Sequence, residues 1–243
     1  MNAIENKKNK PIQQAIKTRH VECLKILLAK NTRSPSEARE YTSIMLAIKN
    51  NQPDAVPLLL EAGEDPGKFT SQTIYIILYF NHKQIAVVQA LCNKLTSVDL
   101  PSGIVGRGAV HWICSSCNPE IARIILSKGG VDVNRLDKEG HMGPFYMLDV
   151  GEEDDNIEVL ELLLQSGLKI NEKTPKTASI LGEFVSSITK PLKIIEWLLA
   201  HGADMNAKLT AGQTILEFMN QYPDLEALAS RYNPQNNEGT KNT

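Results

Sequence analysis

Residues 109–134 read AVHWICSSCNPEIARIILSKGGVDVN and contain two short apolar segments, each of the length of a short helix. Asn118, Pro119 and Glu120 separate the two segments. They supply an N-cap residue, a proline suited to the first turn and an acid near the positive end of a helix. A glycine pair and the acidic turn 131–134 follow the second segment. The stretch therefore predicts a helix, a turn, a second helix and a projecting turn.

The second apolar segment recurs along the chain and is usually followed by glycine. Its copies lie at 25–30, 57–63, 89–94, 123–130, 161–167 and 196–202. The last apolar residues of successive copies, from Leu28 to Leu199, are separated by 32, 32, 34, 38 and 35 residues. Companion apolar segments lie between the copies, at 11–16, 43–48, 109–114 and 214–219. A period near 33 residues with two helices and a turn is typical of one class of repeat protein.

Further fragments of the unit lie at fixed offsets within this period. They are Val110-His111, Asn118-x-Glu120, and the closing turns 131–134 and 202–206. With these fragments the chain resembles the ankyrin repeat family over about residues 11–232. The resemblance implies an all-α, ankyrin-type helical repeat solenoid of about six to seven helix-turn-helix units with short β-turn or hairpin tips.

The period also predicts where each unit begins and ends. Units are expected near 11–42, 43–70, 71–106, 107–140, 141–175, 176–210 and 211–232, the last as a polar cap. Residues 1–10 form a basic N-terminal extension and residues 233–243 a tail predicted to be disordered. The first helix of the sixth unit, at 177–187, fits the pattern poorly, so its register stays open by a few residues.

Two helix starts follow from capping chemistry. Pro57 is compatible with a helix only in its first turn, which predicts that this helix starts at Asp54. The fifth unit carries an acidic insertion at 149–155, which explains the gap of 38 residues. Asn156-Ile157-Glu158 repeats the N-cap signal after that insertion.

Composition restricts the class of protein. Hydrophobic residues make up 42% of the chain and charged residues 22%, which is enough apolar sequence to bury a core. The net charge of −2 disfavours a role built on neutralising nucleic-acid phosphates. The four scattered cysteines form no disulfide framework, and neither a signal peptide nor an apolar run of about 18 residues occurs. We therefore expect a cytoplasmic protein without a membrane partner, with the nucleus left open as its compartment.

A stack of helix pairs offers an extended surface that suits protein partners better than small substrates. The resemblance implies that a partner occupies the groove of first helices and the turn tips. Carried onto this chain, the predicted partner-binding residues are Leu46, Ile76, Tyr79, Phe80, Trp112 and Met147. Residues 74–80 are apolar all round, unlike a half-exposed helix, and aromatic residues are enriched at binding hot spots. The alternative is that these side chains pack against neighbouring units.

Charge is distributed unevenly along the chain. Residues 1–33 carry a net charge of +6, and residues 149–158 carry a net charge of −6. Opposite poles of this kind steer charged partners, and ordinary solvated segments produce the same pattern. The sequence alone does not separate the two explanations.

Motifs for catalysis, metal binding or cofactor binding are weak. The run His111-x-x-Cys114-x-x-Cys117 lacks a fourth ligand for structural zinc, and the repeat pattern explains each of its members. The glycines at 103–108 match neither phosphate-binding order. We therefore predict no catalytic residue, no metal and no cofactor.

These observations favour a non-enzymatic protein-protein interaction module or adaptor that acts as a monomer or weak homo-oligomer. One alternative is a regulatory or targeting part of a larger enzyme or effector assembly. A catalytic domain within this chain is disfavoured, because it would need about 100 residues outside the repeats. Nucleic-acid binding would need a basic stripe across several units, and the basic residues thin out after residue 33.

Overall fold

The computed structural model of the chain describes residues 5–30, 43–64, 85–94, 97–99, 106–148, 150–175 and 179–233. The chain forms two compact units. Unit 1 comprises Met1–Ser102 with Arg123–Gly130, and unit 2 comprises Gly103–Ala122 with Val131–Thr243. The predicted residues Ile76, Tyr79 and Phe80 lie outside the described residues, as does the predicted tail after Asn233.

The described residues are helical, without named strands, as the period predicts. The helices are α1 Glu5–Lys17, α2 Val21–Ala29, α3 Ser43–Lys49, α4 Ala55–Glu61, α5 Ile85–Lys94, α6 Ala109–Ser116, α7 Pro119–Ser127, the 3-10 helix η1 Gly143–Met147, α8 Glu153–Gln165, α9 Ile180–Ser186, α10 Leu192–Ala200, α11 Ile215–Met219 and α12 Pro223–Tyr232. Helix α1 begins six residues before the predicted unit boundary at residue 11. None of the helices within the described ranges has the length and apolar character needed to cross a membrane.

In unit 1, helix pairs stack on one another in sequence order. Helix α1 packs against α2 and α3, α2 and α3 each contact α4, and α4 contacts α5. Fully buried aliphatic side chains such as Ile16, Ile48 and Leu59 form the core. Helix α4 begins directly after Asp54, as predicted, and Pro57 lies in its first turn, where its missing N–H has no intrahelical partner.

In unit 2, the helices form two layers. The first helices of successive repeats, α6, η1, α9 and α11, contact one another in that order. The second helices α8, α10 and α12 do the same in the other layer. Because each helix buries its apolar stripe against a neighbour in the next repeat, no single pair is a core by itself. At the start of α7, the Asn118 side chain accepts hydrogen bonds from the backbone N–H of Glu120 and Ile121 at 3.0 and 3.1 Å, which confirms the predicted cap.

The first helix of the fifth repeat is a short 3-10 helix that lies unusually close to α6. A Cβ atom added at Gly143 would lie 2.7 Å from Val110 Cγ2 and 3.1 Å from Cys114 Sγ. Such distances are too short for a side chain, so glycine at this position permits the close approach. Pro144 occupies the first turn of η1, where no backbone donor is needed.

The last three residues of the acidic insertion begin the next helix. Helix α8 begins at Glu153, three residues before the predicted cap Asn156. The Asn156 side chain lies within the helix and donates a hydrogen bond to Val150 O at 2.8 Å. Glu153, Asp154 and Asp155 form the first turn, where negative charge is favourable next to the exposed N–H groups. The prediction of a cap at Asn156 is therefore wrong, because the acids begin the helix earlier.

The turn tips of unit 2 are tied to one another by asparagine side chains. Asn134 Nδ2 donates to Gly167 O at 2.9 Å, and its Oδ1 accepts from Lys169 N at 2.8 Å. Asn171 repeats the arrangement with Gly202 O and Asp204 N, both at 2.9 Å. Isolated antiparallel bridges, Leu136 with Met142 and Lys208 with Thr214, close two short hairpin tips. These contacts hold successive repeats in register.

Candidate functional site

The capping residues of the first helices in unit 2 define a common register. The N-caps of α6, η1, α9 and α11 are Gly108, Met142, Ser179 and Thr214. The residue four positions after each cap is equivalent in every repeat. We call these residues the groove positions; they are Trp112, Tyr146, Glu183 and Phe218.

This register corrects one predicted site residue. Met147 was expected at a groove position, but it lies one residue further on, in the register of Ile113, Phe184 and Met219. All four side chains at that position are at most 1% exposed. Met147 is therefore a core residue, and Tyr146 takes the groove position of the fifth repeat. Periodicity alone missed this shift because the first helix there is a 3-10 helix preceded by an extended Met142.

The other predicted residues differ in their accessibility. Trp112 does occupy a groove position, but it is only 5% exposed, which favours the packing alternative for its ring. Leu46 lies in α3 of unit 1 and is half-buried. Tyr146 and Phe218 are also half-buried, so each offers part of its ring to solvent. Partner contact at any of these residues stays a prediction.

A cationic and aromatic cluster surrounds Tyr146. The Arg107 guanidinium lies 4.0 Å from the centroid of the Tyr146 ring and 5.6 Å from that of Trp112. Its Nε lies 3.9 Å from Asp137 Oδ2, and the Arg107 side chain remains 26% exposed. The ring faces stabilise the cation through their quadrupoles, so the guanidinium is held in one place at the surface.

The buried carboxylate of Asp137 contacts both Arg107 and Tyr146 and links them to the backbone. Its side chain is fully buried, and Oδ2 accepts a hydrogen bond from the Tyr146 hydroxyl. Oδ1 accepts from the backbone N–H of Glu139 at 2.8 Å and of His141 at 3.0 Å. Burial opposes ionisation, but these hydrogen bonds outweigh it and lower the pKa of Asp137 below its ordinary value. Burial and the hydrogen bond to Asp137 raise the pKa of Tyr146, so its hydroxyl stays protonated.

His111 is a structural residue in the same repeat. Its Nδ1 accepts a hydrogen bond from Gly108 N at 3.0 Å, and its Nε2 lies 3.2 Å from His141 O. The second contact requires the proton on Nε2, which fixes the neutral tautomer. The backbone N–H of Gly108, three residues earlier, thus supplies a local hydrogen-bond partner for the His111 ring. Burial lowers the pKa of His111 below 6.5, although the hydrogen bond to His141 opposes this shift.

Sequence reasoning did not find the buried pair His141 and Glu183. The His141 ring stacks on Phe145 with ring centroids 3.7 Å apart and an interplanar angle of 12°. His141 Nδ1 lies 3.7 Å from Glu183 Oε1, and both side chains are at most 9% exposed. Ser179, which caps α9 and accepts from Gly182 N, was the signal that would have placed Glu183 at a groove position.

The cysteines beside His111 do not form a metal site in the described structure. The Cys117 thiol faces Cys114 O at 3.1 Å and Val150 O at 3.3 Å, while His111 Nε2 faces His141 O. Burial raises the pKa of Cys117 to about 12 and that of Cys114 well above its ordinary value. Over the ranges that the structure describes, no group of three or more His, Cys, Asp or Glu residues is arranged to hold a metal ion.

Comparisons with known proteins agree with this architecture. A family model described as ankyrin repeats (3 copies) matches residues 1–70. The ankyrin repeat domain of human ASB11 aligns with a TM-score of 0.70 at 15% identity, over 93% of this chain and 99% of that one. The ankyrin repeat domain of Bcl-3, a member of the IkappaB protein family, aligns with a TM-score of 0.52 at 20% identity, over 92% and 86%.

The ankyrin repeat protein EF0377 aligns with a TM-score of 0.52 at 18% identity, over 92% of this chain and 98% of that one. No curated protein matches this chain in sequence. At these identities the solved structures show the fold, and the family model covers the N-terminal repeats. Together with the helix pairs, the capped first helices and the asparagine-linked tips, these likenesses show that the chain has an ankyrin-type repeat fold.

Proposed function

We propose that this chain is a non-enzymatic adaptor that holds a partner protein on the groove positions and turn tips of unit 2. Ankyrin repeat domains are generally protein-interaction modules. The observation that carries the proposal is the cluster of Arg107, Tyr146 and Asp137. Arginine and tyrosine are, with tryptophan, the residue types enriched at binding hot spots.

The geometry of the cluster reduces the cost of binding. Arg107 is already held between ring faces and a buried carboxylate, so it loses little side-chain freedom when a partner arrives. The half-buried rings of Tyr146 and Phe218 offer apolar surface on either side of the buried Glu183. A partner with a carboxylate or a backbone carbonyl beside an apolar side chain suits this surface.

The proposal includes the oligomeric state and the cellular compartment of the protein. We propose a cytoplasmic monomer, or a weak homo-oligomer, that needs no cofactor. Cys92, Cys114 and Cys117 are buried free thiols, and burial raises the pKa of each of them. Protonated, unpaired thiols of this kind are typical of proteins in reducing compartments.

The test compares capture of partners by wild type and by Arg107→Ala. Partners are captured from a lysate of the source cell, and the affinity of each is then measured with purified proteins. We expect Arg107→Ala to weaken binding by about tenfold or more, since hot-spot truncations cost at least about 1.4 kcal/mol. Glu161→Ala, an exposed substitution on the second helix α8 of the same unit and outside the groove positions and turn tips, is the control. Unchanged affinity in a folded Arg107→Ala variant would rule out this groove site.

A further inference from the structure

The loops that join first to second helices in unit 2 form a continuous surface. We call residues 117–120, 150–155, 186–193 and 220–226 the loop edge. Cys117 Sγ contacts Val150 O at 3.3 Å, which joins the first loop to the second. Lys193 Nζ contacts Asp154 at 2.9 Å, and Lys190 Nζ lies 4.4 Å from the Tyr222 ring centroid. Each of the four loops therefore lies next to the loop that follows it in sequence order.

Exposed apolar side chains concentrate on the loop edge. Ile188 is 95% exposed, Val150 40%, Leu192 38% and Tyr222 37%. Among the described residues, the other large hydrophobic side chains exposed to this degree are Ile26 in unit 1 and Leu136 at a turn tip. Single exposed apolar residues need no explanation, but four on consecutive loops of one surface indicate a docking site.

The loop edge is also acidic. Its described residues include the carboxylates of Glu120, Glu152, Glu153, Asp154, Asp155, Asp224 and Glu226, against the ammonium groups of Lys190 and Lys193. Acids in a first helical turn stabilise the helix, which explains why they occur at these positions. That role does not require apolar side chains to be exposed between them.

We propose that the loop edge is a second docking surface, which binds an amphipathic helix with basic residues beside its apolar face. The apolar side chains from Val150 to Tyr222 would receive the apolar face. Lysines or arginines flanking that face would meet Glu152, Asp155, Asp224 and Glu226, all of them exposed.

This surface is distinct from the groove. The groove positions lie near the capped N-terminal ends of the first helices, and the loops follow the C-terminal ends of the same helices. Two partners can therefore be bound at once, one at each end. The inference does not rest on the groove proposal, because no residue is shared between the two surfaces.

A selection experiment tests the inference with the full chain. A phage-displayed library of helical peptides is panned against wild type, and the affinities of enriched peptides are measured by fluorescence anisotropy. We expect enriched peptides to carry Lys or Arg beside aliphatic or aromatic side chains at i, i+3 and i+4 spacing. We expect Ile188→Ser/Leu192→Ser to weaken their binding at least tenfold, and added salt to weaken it for wild type.

Matched variants separate this surface from others. Leu136 is 37% exposed in the same unit but lies outside the loop edge, so Leu136→Ser should leave the affinity for the enriched peptides unchanged. Arg107→Ala in the groove should also leave that affinity unchanged. Enrichment of peptides without basic residues, or equal binding to the double variant, would overturn the inference. Analytical sedimentation of the chain alone tests a different occupant. A dimer that is lost in the double variant would show that a second copy of the chain covers the loop edge, and the proposal of a basic helix would then be wrong.

Discussion

Glu153, at the start of α8, caps the next repeat through the backbone of Lys193. Its Oε2 accepts a hydrogen bond from Lys193 N at 2.9 Å and a longer one from Ile194 N at 3.4 Å. Lys193 in turn pairs with Asp154 at 2.9 Å, a contact that raises the pKa of the lysine. The carboxylate thus satisfies exposed N–H groups at the beginning of α10. The acidic insertion has a structural role in stacking the fifth repeat on the sixth.

We expect Glu153→Ala to lower the free energy of unfolding by about 1 kcal/mol, because α10 loses its cap. Glu153→Gln keeps an acceptor oxygen and should cost less. Glu152→Ala is the matched control, since that exposed neighbour makes no capping hydrogen bond with its side chain. Urea unfolding followed by circular dichroism measures all three variants. Equal effects of the substitutions at 152 and 153 would contradict the capping role.

The close contact at Gly143 gives a second prediction. Gly143→Ala should destabilise the protein by about 1–3 kcal/mol, because the new Cβ must displace Val110 or move η1. Gly167→Ala provides a comparison with a different cause. Gly167 has φ +95° and nothing within 4 Å, so alanine there incurs only backbone strain of about 1–2 kcal/mol. If sterics are the reason, Gly143→Ala combined with Val110→Ala should cost less in thermal unfolding than the sum of the two single substitutions.

Asn171 connects two turn tips, and its removal tests their contribution to stability. Asn171→Ala removes the hydrogen bonds to Gly202 O and from Asp204 N, and we expect a loss of about 1 kcal/mol at this exposed site. Asn171→Asp keeps the acceptor but not the donor, so it should fall between alanine and wild type. Amide hydrogen exchange provides the local measurement. Faster exchange at Asp204 in the alanine variant is expected, and unchanged exchange there would show that the side chain does not tie the tips.

The buried His111 makes stability depend on pH. Its pKa is lower in the folded state than the ordinary value of 6.5, so the unfolded chain binds a proton more readily. Stability should therefore fall as pH drops below about 6.5 and continue falling until the folded pKa is reached. Besides burial, which lowers the pKa of His111 most, the backbones of His141 and Gly108 and the charges of Asp137 and Arg107 act on this titration. Denaturant titrations between pH 7.5 and 5 should show a shallower slope for His111→Gln than for wild type.

The sequence pattern predicts much of this fold because the same apolar segments and capping residues recur along the chain. The Asn118 cap and the Asp54 start each depend on neighbours within a few residues, and the structure confirms them. The groove register in the fifth repeat does not follow from such signals. Met147 and Tyr146 differ by one position, and the choice between them depends on the 3-10 helix that follows the extended Met142.

Tertiary context also decides what the charged residues do. Glu183 is a charged residue in a short helix, yet it is buried beside His141 at a groove position. Glu153 was expected in a solvated or partner-steering loop, but its partner is the backbone of α10, 40 residues later in the chain. A contact between residues so far apart in the chain cannot be predicted from the few residues around either partner.

The Asp137 carboxylate should stabilise the cluster only while it is ionised. Its pKa is lowered in the folded state, so its contribution is complete above the ordinary value of 3.8 and is lost as pH falls through the folded pKa. Asp137→Asn preserves the size of the side chain but removes the charge beside Arg107 and Tyr146. We expect a loss of about 1–3 kcal/mol at pH 7 and a smaller further loss between pH 5 and 3 than in wild type. Asp224→Asn, an exposed substitution in α12, is the control in the same acid titration. If Asp137→Asn is as stable as wild type at pH 7, Asp137 does not hold the Arg107 cluster in place.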